Sequence, residues 1–371
     1  MPVSPDMAED LARTVGSLYE QAELALLERL RADLAAGIDS PMWVNQKLAG
    51  LGDFQQGIRA LLDGLQIDTD GALREAVSQA YERGQQAAVA ELGALPVGQA
   101  AAAAEALPGA AVVDRLAAAV IGDTGPVYQR VLRVSVDVYR QTVAEAAASA
   151  LTGAETRRQA AARALVRFAQ RGVTGFVDKA GRSWDMASYA EMATRSAVGK
   201  AAVQAHTDRL QAAGLDLVVV SDSPEECPLC RPWERKILSI GDSGARTVEM
   251  QHATADDRTV TVHIAGSLGD ARAAGLQHPN CRHRVSAYLP GVTQRPPVQE
   301  DRASYEQTQQ QRYLERQIRT WKRRAAAAMD DDQRKAANAK VRDYQGRVRD
   351  LLAETDGLPR KSHREQLSSA R

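Results

Sequence analysis

Apolar positions recur every three or four residues over most of residues 1–171, a spacing typical of amphipathic helices. Gly37 to Pro41 interrupts the first of these runs, and Thr69 to Gly71 separates the second from the third. The first three helices are predicted over residues 6–31, 41–62 and 71–88. We therefore expect a helical N-terminal region.

Proline and glycine divide the rest of this region. Leu107-Pro108-Gly109 interrupts an alanine-rich tract over residues 99–119, which we interpret as a spacer followed by a new helix. Gly122 to Pro126 is predicted to form a turn. The next helix carries a stripe of valines broad enough to be buried by other helices or by another chain. A last helix is expected over residues 154–170.

The hydrophobic period changes after residue 171, where short apolar runs replace the helical spacing. The predicted elements are a hairpin over residues 173–185, a helix over 186–213, strands over 215–221, 246–250 and 258–264, and a short helix over 267–274. A polar loop over residues 253–257 joins the last two strands. Strands and helices of this size indicate a small α+β module over residues 172–291.

The remaining chain is polar and then helical again. Residues 292–303 indicate a linker, and residues 304–371 predict a helical hairpin followed by a basic tail. Asp330 begins the second helix of the hairpin, and the tail from Arg360 to Arg364 is expected to be mobile. The fold class is therefore mainly α with a small α+β module.

The first helix of this hairpin, over residues 304–328, is basic. Its cationic side chains are Arg312, Arg316, Arg319, Lys322, Arg323 and Arg324. They could contact DNA phosphates. They could equally form a solvated face above Ile318 and Trp321, and acidic neighbours such as Glu315 favour that second interpretation.

The amino-acid composition restricts the classes of function that the protein can have. Lys and Arg number 47, as do Asp and Glu, so net charge gives no argument for nucleic-acid binding. Aromatic residues make up only 4%, which favours helices packed through small side chains. Three cysteines and no signal-peptide pattern after Met1 indicate a reducing compartment. No apolar run reaches the ~18 residues of a membrane span, so no membrane association is expected.

All three cysteines fall within one stretch of 55 residues, as a Cys-x-x-Cys and a His-x-x-Cys. Cys227, Cys230, His278 and Cys281 together supply the four donors that a tetrahedral zinc site needs. His283 is an additional donor. Asp222 or Glu226 could hydrogen-bond to the ligands.

Two other interpretations of this cluster stay open. The cysteines could pack as small apolar side chains, with His278 hydrogen-bonded in its loop and no metal. A redox Cys-x-x-Cys is less favoured, because the motif follows a strand without the helix start that lowers a thiol pKa.

Catalysis has little support in the sequence. A deaminase-like site pairs His-x-Glu with Pro-Cys-x-x-Cys, but here Pro228 lies inside the pair and His206-Thr207-Asp208 lacks the glutamate. Cys281 and His283 could act as nucleophile and base, yet the sequence identifies no third group to orient them. No enzyme is expected.

Several strings resemble the tailed-phage minor capsid protein 2 family, which is related to MuF-like head-morphogenesis proteins. They are Cys227-Pro228-Leu229-Cys230 with Trp233, His278-Pro279-Asn280-Cys281-Arg282-His283, and Tyr288-Leu289-Pro290-Gly291. The resemblance covers residues 170–355. Arg235 stands where the family often has glycine, which puts a tight turn there in doubt.

This resemblance implies a structural virion protein of the head or head-neck region, made in the host bacterial cytoplasm. It would act in head assembly or in genome packaging and delivery. Its expected partners are the portal or major capsid protein, with phage DNA through the basic C-terminal helices and a homo-oligomer as further options. The alternatives are an enzyme-bearing head protein, with a nuclease or toxin-like module, and a DNA-binding protein.

Overall fold

Helices dominate the computed structural model, which describes residues 5–93, 110–152, 155–171, 174–177, 183–222, 227–241, 244–278, 281, 283–294 and 303–367. A two-stranded hairpin and a five-stranded sheet are the β structure of these residues. The predicted fold class, mainly α with a small α+β module, is confirmed. No helix within these ranges combines the length and the apolar character that crossing a membrane requires.

Five helices are described in the first part of the chain. They are α1 (Pro5–Ala35), α2 (Trp43–Ala49), α3 (Leu51–Leu92), α4 (Ala110–Thr152) and α5 (Arg157–Arg171). The predicted break after α1 is confirmed, and the indole of Trp43 donates a hydrogen bond of 3.0 Å to the carbonyl of Leu34 across it. The predicted breaks at residues 107–109 and 172 lie outside the described residues.

Two predicted interruptions are wrong. Helix α3 continues through Thr69 to Gly71, and α4 continues through Pro126. Local propensity predicted breaks there, but buried residues flank both points: Val127 is 1% exposed, and the hydroxyl of Thr69 donates to the carbonyl of Leu65. Tertiary packing of a continuous apolar stripe outweighs a local penalty of about 1 kcal/mol for glycine and ~3 kcal/mol for proline.

The strands that the structure describes lie in the central part of the chain, together with two α-helices. In order these are β1 (Thr174–Val177), β2 (Ser183–Asp185), α6 (Met186–Ala212), β3 (Leu217–Val220), β4 (Ile237–Ser239), β5 (Arg246–His252), β6 (Ala255–Ser267), α7 (Leu268–Ala273) and β7 (Val285–Ala287). Strands β1 and β2 pair as the predicted hairpin. The five-stranded sheet has the order β5-β6-β4-β3-β7, and only the β4 and β6 pairing is parallel.

Strand β3 occupies the interior of this sheet and is buried on both faces, as its unbroken apolar run requires. On one face Val218 and Val220 pack with Leu210 of α6 and Ala271 of α7. On the other face Leu217 packs in a smaller cluster with residues of β4 and β6. Strand β3, which precedes the cysteine motif in the sequence, is therefore fixed by packing on both faces.

The C-terminal segment forms the predicted helical hairpin, α8 (Tyr305–Ala327) and α9 (Asp331–Glu354). The carboxylate of Asp330 caps α9 by accepting a hydrogen bond of 2.7 Å from the backbone N–H of Gln333. The segment from Arg360 to Arg364, where a mobile tail was expected, makes contacts within the chain. Arg360 donates to the buried carboxylate of Glu365 at 2.9 Å, and a short 3₁₀ turn forms over Ser362–Glu365.

Contacts divide the chain into two units, each made of three separated segments. The first comprises Met1–Arg13, Ala72–Ile121 and Met192–Tyr305, and the second comprises Thr14–Gly71, Gly122–Glu191 and Glu306–Arg371. The five-stranded sheet belongs to the first unit. The domain boundaries that the sequence suggested, at residues 171, 291 and 303, stay a prediction.

Candidate metal centre

A tight turn after β3 presents the first two cysteines. The backbone N–H groups of Cys230 and Arg231 both donate to the carbonyl of Cys227 at 3.1 Å. A 3₁₀ turn over Arg231–Trp233 then returns the chain to β4. Arg235 adopts a φ of 60° and its N–H donates to the carbonyl of Val220, so the tight turn is present although its residue is not glycine.

A loop after α7 presents the other two donors. Gly275 has a φ of 110°, which favours glycine, and it ends the helix. A Cβ atom at this glycine would lie 3.2 Å from Cβ of Leu229, so its absence lets the cysteine turn approach the loop. The N–H of Cys281 donates to the carbonyl of His278 at 2.8 Å, which turns both side chains to the same side.

The structure places the four predicted donors in two adjacent pairs. Sγ of Cys227 lies 3.0 Å from Nε2 of His278, and Sγ of Cys230 lies 3.4 Å from Sγ of Cys281. Cys230 is 1% exposed and belongs to the apolar core beneath the sheet. The three cysteines are free thiols.

Two groups of three residues could each hold a metal ion, and they share Cys230. One group is Cys227, Cys230 and His278, and the other is Cys230, Cys281 and His283. Within each group the donor atoms lie within 4.8 Å of one another. Thiolate and imidazole donors suit zinc and exclude the hard cations magnesium and calcium, which prefer oxygen.

Glu234, which is not among the residues predicted from the sequence, completes the cluster. Its carboxylate lies 2.7 Å from Nε2 of His283, whose Nδ1 lies 3.5 Å from Sγ of Cys281. The sequence suggested Asp222 or Glu226 as the acidic partner of the ligands. Glu226 lies outside the described residues, and the carboxylate found beside His283 is that of Glu234. The only sequence signal for it is its position four residues after Cys230.

The thiol groups of the cluster shift one another's pKa values. A hydrogen bond with Cys230 lowers the pKa of the Cys281 thiol, and His283 lowers it further against the opposing effect of burial. The same bond and burial raise the pKa of Cys230. Burial alone would lower the pKa of His283, but Cys281 and Glu234 raise it above its ordinary value. Cys281 is therefore the thiol of this pair that ionises first.

Glu234 also changes the assessment of catalysis, because it is the orienting third group that Cys281 and His283 lacked in the sequence. The sulfur of Cys281 is nevertheless surrounded: besides His283 Nδ1, the backbone N–H of His283 donates to it at 3.4 Å and Cys230 lies at the same distance. A sulfur atom with hydrogen-bonding contacts on three sides is less nucleophilic than a free thiolate. This arrangement suits a ligand better than a nucleophile.

The chain matches a phage protein family over almost its whole length and is similar to two phage structural proteins over parts of it. The family model described as "Phage minor capsid protein 2" matches residues 3–353. A "Structural protein" of Lactococcus phage LL-H is 28% identical over 240 residues, which cover 62% of this chain and 61% of the relative. A "Structural protein" of Lactococcus phage mv4 is 33% identical over 108 residues, which cover 27% of this chain and 88% of the relative.

These matches differ in how much of each relative they span. The aligned part of the chain spans about 61% of the LL-H protein's length. The family match reaches residue 3, so it includes the N-terminal helices, which the resemblance in the sequence did not cover. No solved structure shows significant similarity to the chain.

Proposed function

Since the chain belongs to the phage minor capsid protein 2 family, and is thus a structural component of the virion, we propose that it acts in phage head assembly and genome packaging. Its partners in this role are the portal protein and the major capsid protein. The family match over residues 3–353 is the observation that carries the proposal, because it includes both helical regions as well as the sheet.

Proteins rather than DNA are the partners that the C-terminal helices favour. Several basic side chains of α8 make contacts inside the chain. Arg323 is buried against Glu23, and Arg319 donates a hydrogen bond of 2.7 Å to the carbonyl of Arg364. The guanidinium of Arg324 lies 3.9 Å above the ring of Trp321. Glu23 neutralises the charge of Arg323, and the contacts of Arg319 and Arg324 hold their side chains against the fold, so fewer cations can reach phosphate groups.

A conditional nonsense mutation in the phage gene tests the proposal, with a plasmid copy for complementation. We expect a large loss of plaque titre, with absent, misassembled or empty heads in electron micrographs and little nuclease-protected DNA in the particle fraction. A plasmid copy with a stop codon at the same position is the matched control.

Two results would count against this function. Normal numbers of DNA-filled, infectious heads without the protein would refute it. Normal DNA-filled heads that attach but fail after attachment would move the role from assembly to genome delivery, or to an activity that the virion carries into the host. Crosslinking within purified virions then identifies the neighbouring protein.

A further inference from the structure

The two halves of the cysteine and histidine cluster face each other in register. Cys227 pairs with His278 and Cys230 pairs with Cys281, and each pair is separated by 51 residues along the chain. Each half has the two-residue gap that lets a turn direct both donors to one point. Packing of apolar side chains alone would not require this pairing of donor with donor.

From this geometry we propose that the chain binds one zinc ion through the thiolates of Cys227, Cys230 and Cys281 and through Nε2 of His278. His283 and Glu234 lie outside the coordination sphere and position the Cys281 thiolate. The donors number four, which closes a tetrahedral site, and a closed site of this kind is structural.

The contacts of His283 place it outside the coordination sphere of the metal. Both its backbone N and its Nδ1 lie within 3.5 Å of the Cys281 sulfur, so the residue wraps around that sulfur. Its other ring nitrogen is held by Glu234 at 2.7 Å, and the two side chains are 3% and 11% exposed. Hydrogen bonds to a metal-bound thiolate typically disperse its negative charge and fix its direction.

A bound zinc ion would fasten two segments that the fold already brings close. One is the turn between β3 and β4, and the other is the loop between α7 and β7. Because β3 pairs with both β4 and β7, the metal would lie at one end of the sheet and lock three strands in position. Zinc bound only to the folded chain would also add its binding free energy to the stability of the fold.

The first experiment measures the metal content of the full-length protein, purified without chelators and after removal of any histidine tag. We expect one zinc ion per chain by inductively coupled plasma mass spectrometry. We also expect all three thiols to resist alkylation until a chelator and a denaturant are added. Zinc-free protein with three reactive thiols, or with a disulfide between Cys230 and Cys281, would overturn the proposal.

The second experiment assigns the ligands with Co²⁺, whose absorption reports tetrahedral thiolate coordination. His278→Ala should lose the thiolate–cobalt spectrum of the native site. His283→Ala and Glu234→Gln should keep it, with an affinity for Co²⁺ and Zn²⁺ that is about 10- to 100-fold weaker. His263→Ala is the matched control, because this exposed histidine of β6 bonds to Thr247 at 2.8 Å in the same sheet.

Each variant is first checked for native helix content by circular dichroism. A His283→Ala protein that loses the metal, beside a His278→Ala protein that retains it, would contradict the ligand assignment. If a variant fails to fold, competition of the wild-type protein with a chromophoric chelator still measures the zinc affinity. No competition by the folded wild-type protein would refute the site.

Discussion

Gly84 of α3 lies so close to Ala202 of α6 that a Cβ atom at position 84 would overlap the backbone oxygen of Ala202. The surrounding cluster is built from small side chains, including Ala76, Ala80 and Ala201. The two helices therefore pack backbone against backbone, which explains how a chain with 4% aromatic residues can form a core.

Gly84→Ala should destabilise the protein by about 1–3 kcal/mol, because the added methyl group forces the helices apart. Gly64→Ala is the matched control on the same helix, where an added Cβ meets nothing within 4 Å. That change should stabilise the helix by up to about 1 kcal/mol. Urea unfolding followed by circular dichroism measures both, and shifts of the same sign would contradict the tight packing.

The guanidinium of Arg323 lies 3.5 Å from the carboxylate of Glu23, and the two side chains are 6% and 2% exposed. Glu23→Gln should lower the free energy of unfolding by about 3–5 kcal/mol, since it leaves a buried cation without its counter-charge. The double variant, Glu23→Leu with Arg323→Met, should recover much of that loss.

An exposed ion pair gives the control for this prediction. Asp343 and Arg347 lie one turn apart on α9 with 43% and 56% of their side chains exposed. Asp343→Asn should change stability by about 0.5 kcal/mol or less. Equal effects at Glu23 and Asp343 in chemical denaturation would show that Arg323 is not buried in solution.

Tyr128 should contribute to stability through its hydroxyl group. This group lies 2.7 Å from the hydroxyl of Tyr19 and 2.6 Å from that of Thr69, all of them buried. Tyr128→Phe should therefore cost about 1–3 kcal/mol, because it removes the buried hydrogen bonds to both Tyr19 and Thr69. Tyr313→Phe, at a residue that is 48% exposed, should have no measurable effect in thermal unfolding.

Glu315 should make stability depend on pH. Burial raises the pKa of its carboxyl group to about 7, although Arg364, Arg319, Lys361 and Arg312 oppose the shift. Below the ordinary pKa the group is protonated in both states. As pH rises toward about 7 the unfolded chain releases this proton while the folded chain retains it, so the contribution to stability is lost.

Glu315→Gln should consequently raise stability near pH 8, by an amount on the order of 2 kcal/mol, and leave it unchanged near pH 4. Unfolding curves of the variant and the wild type across this pH range measure the difference in their free energies of unfolding. The contributions of other titrating groups are common to both proteins and cancel in this difference. A difference that does not vary with pH would mean that the carboxyl group is ionised in the folded protein.

The helical periodicity was sufficient to predict most of the fold, because the residues on the buried face of a helix repeat every three or four positions in the sequence. The predicted interruptions at Gly71 and Pro126 failed because the packing that stabilises these turns comes from distant residues, such as Tyr128 against Tyr19. Strands β4 and β7 span three residues each, which is too short for a period to be visible. They form because β3 lies between them.

Local signals in the sequence were also the basis for predicting the residues of the candidate site. The gaps between Cys227 and Cys230 and between His278 and Cys281 are local signals. Glu234 lies beside His283 in a turn where Arg235 adopts a left-handed conformation, and sequence spacing does not reveal this contact. The metal that these residues would bind stays a prediction.

The Glu23 and Arg323 pair also determines when the protein can finish folding. The two residues are 300 positions apart, so at bacterial rates of ~5–20 residues per second Glu23 leaves the ribosome roughly 15–60 s before its partner. Burying this carboxylate earlier would leave it without a counter-charge. The unit that contains the pair therefore cannot close fully until Arg323 has been synthesised and has left the ribosome.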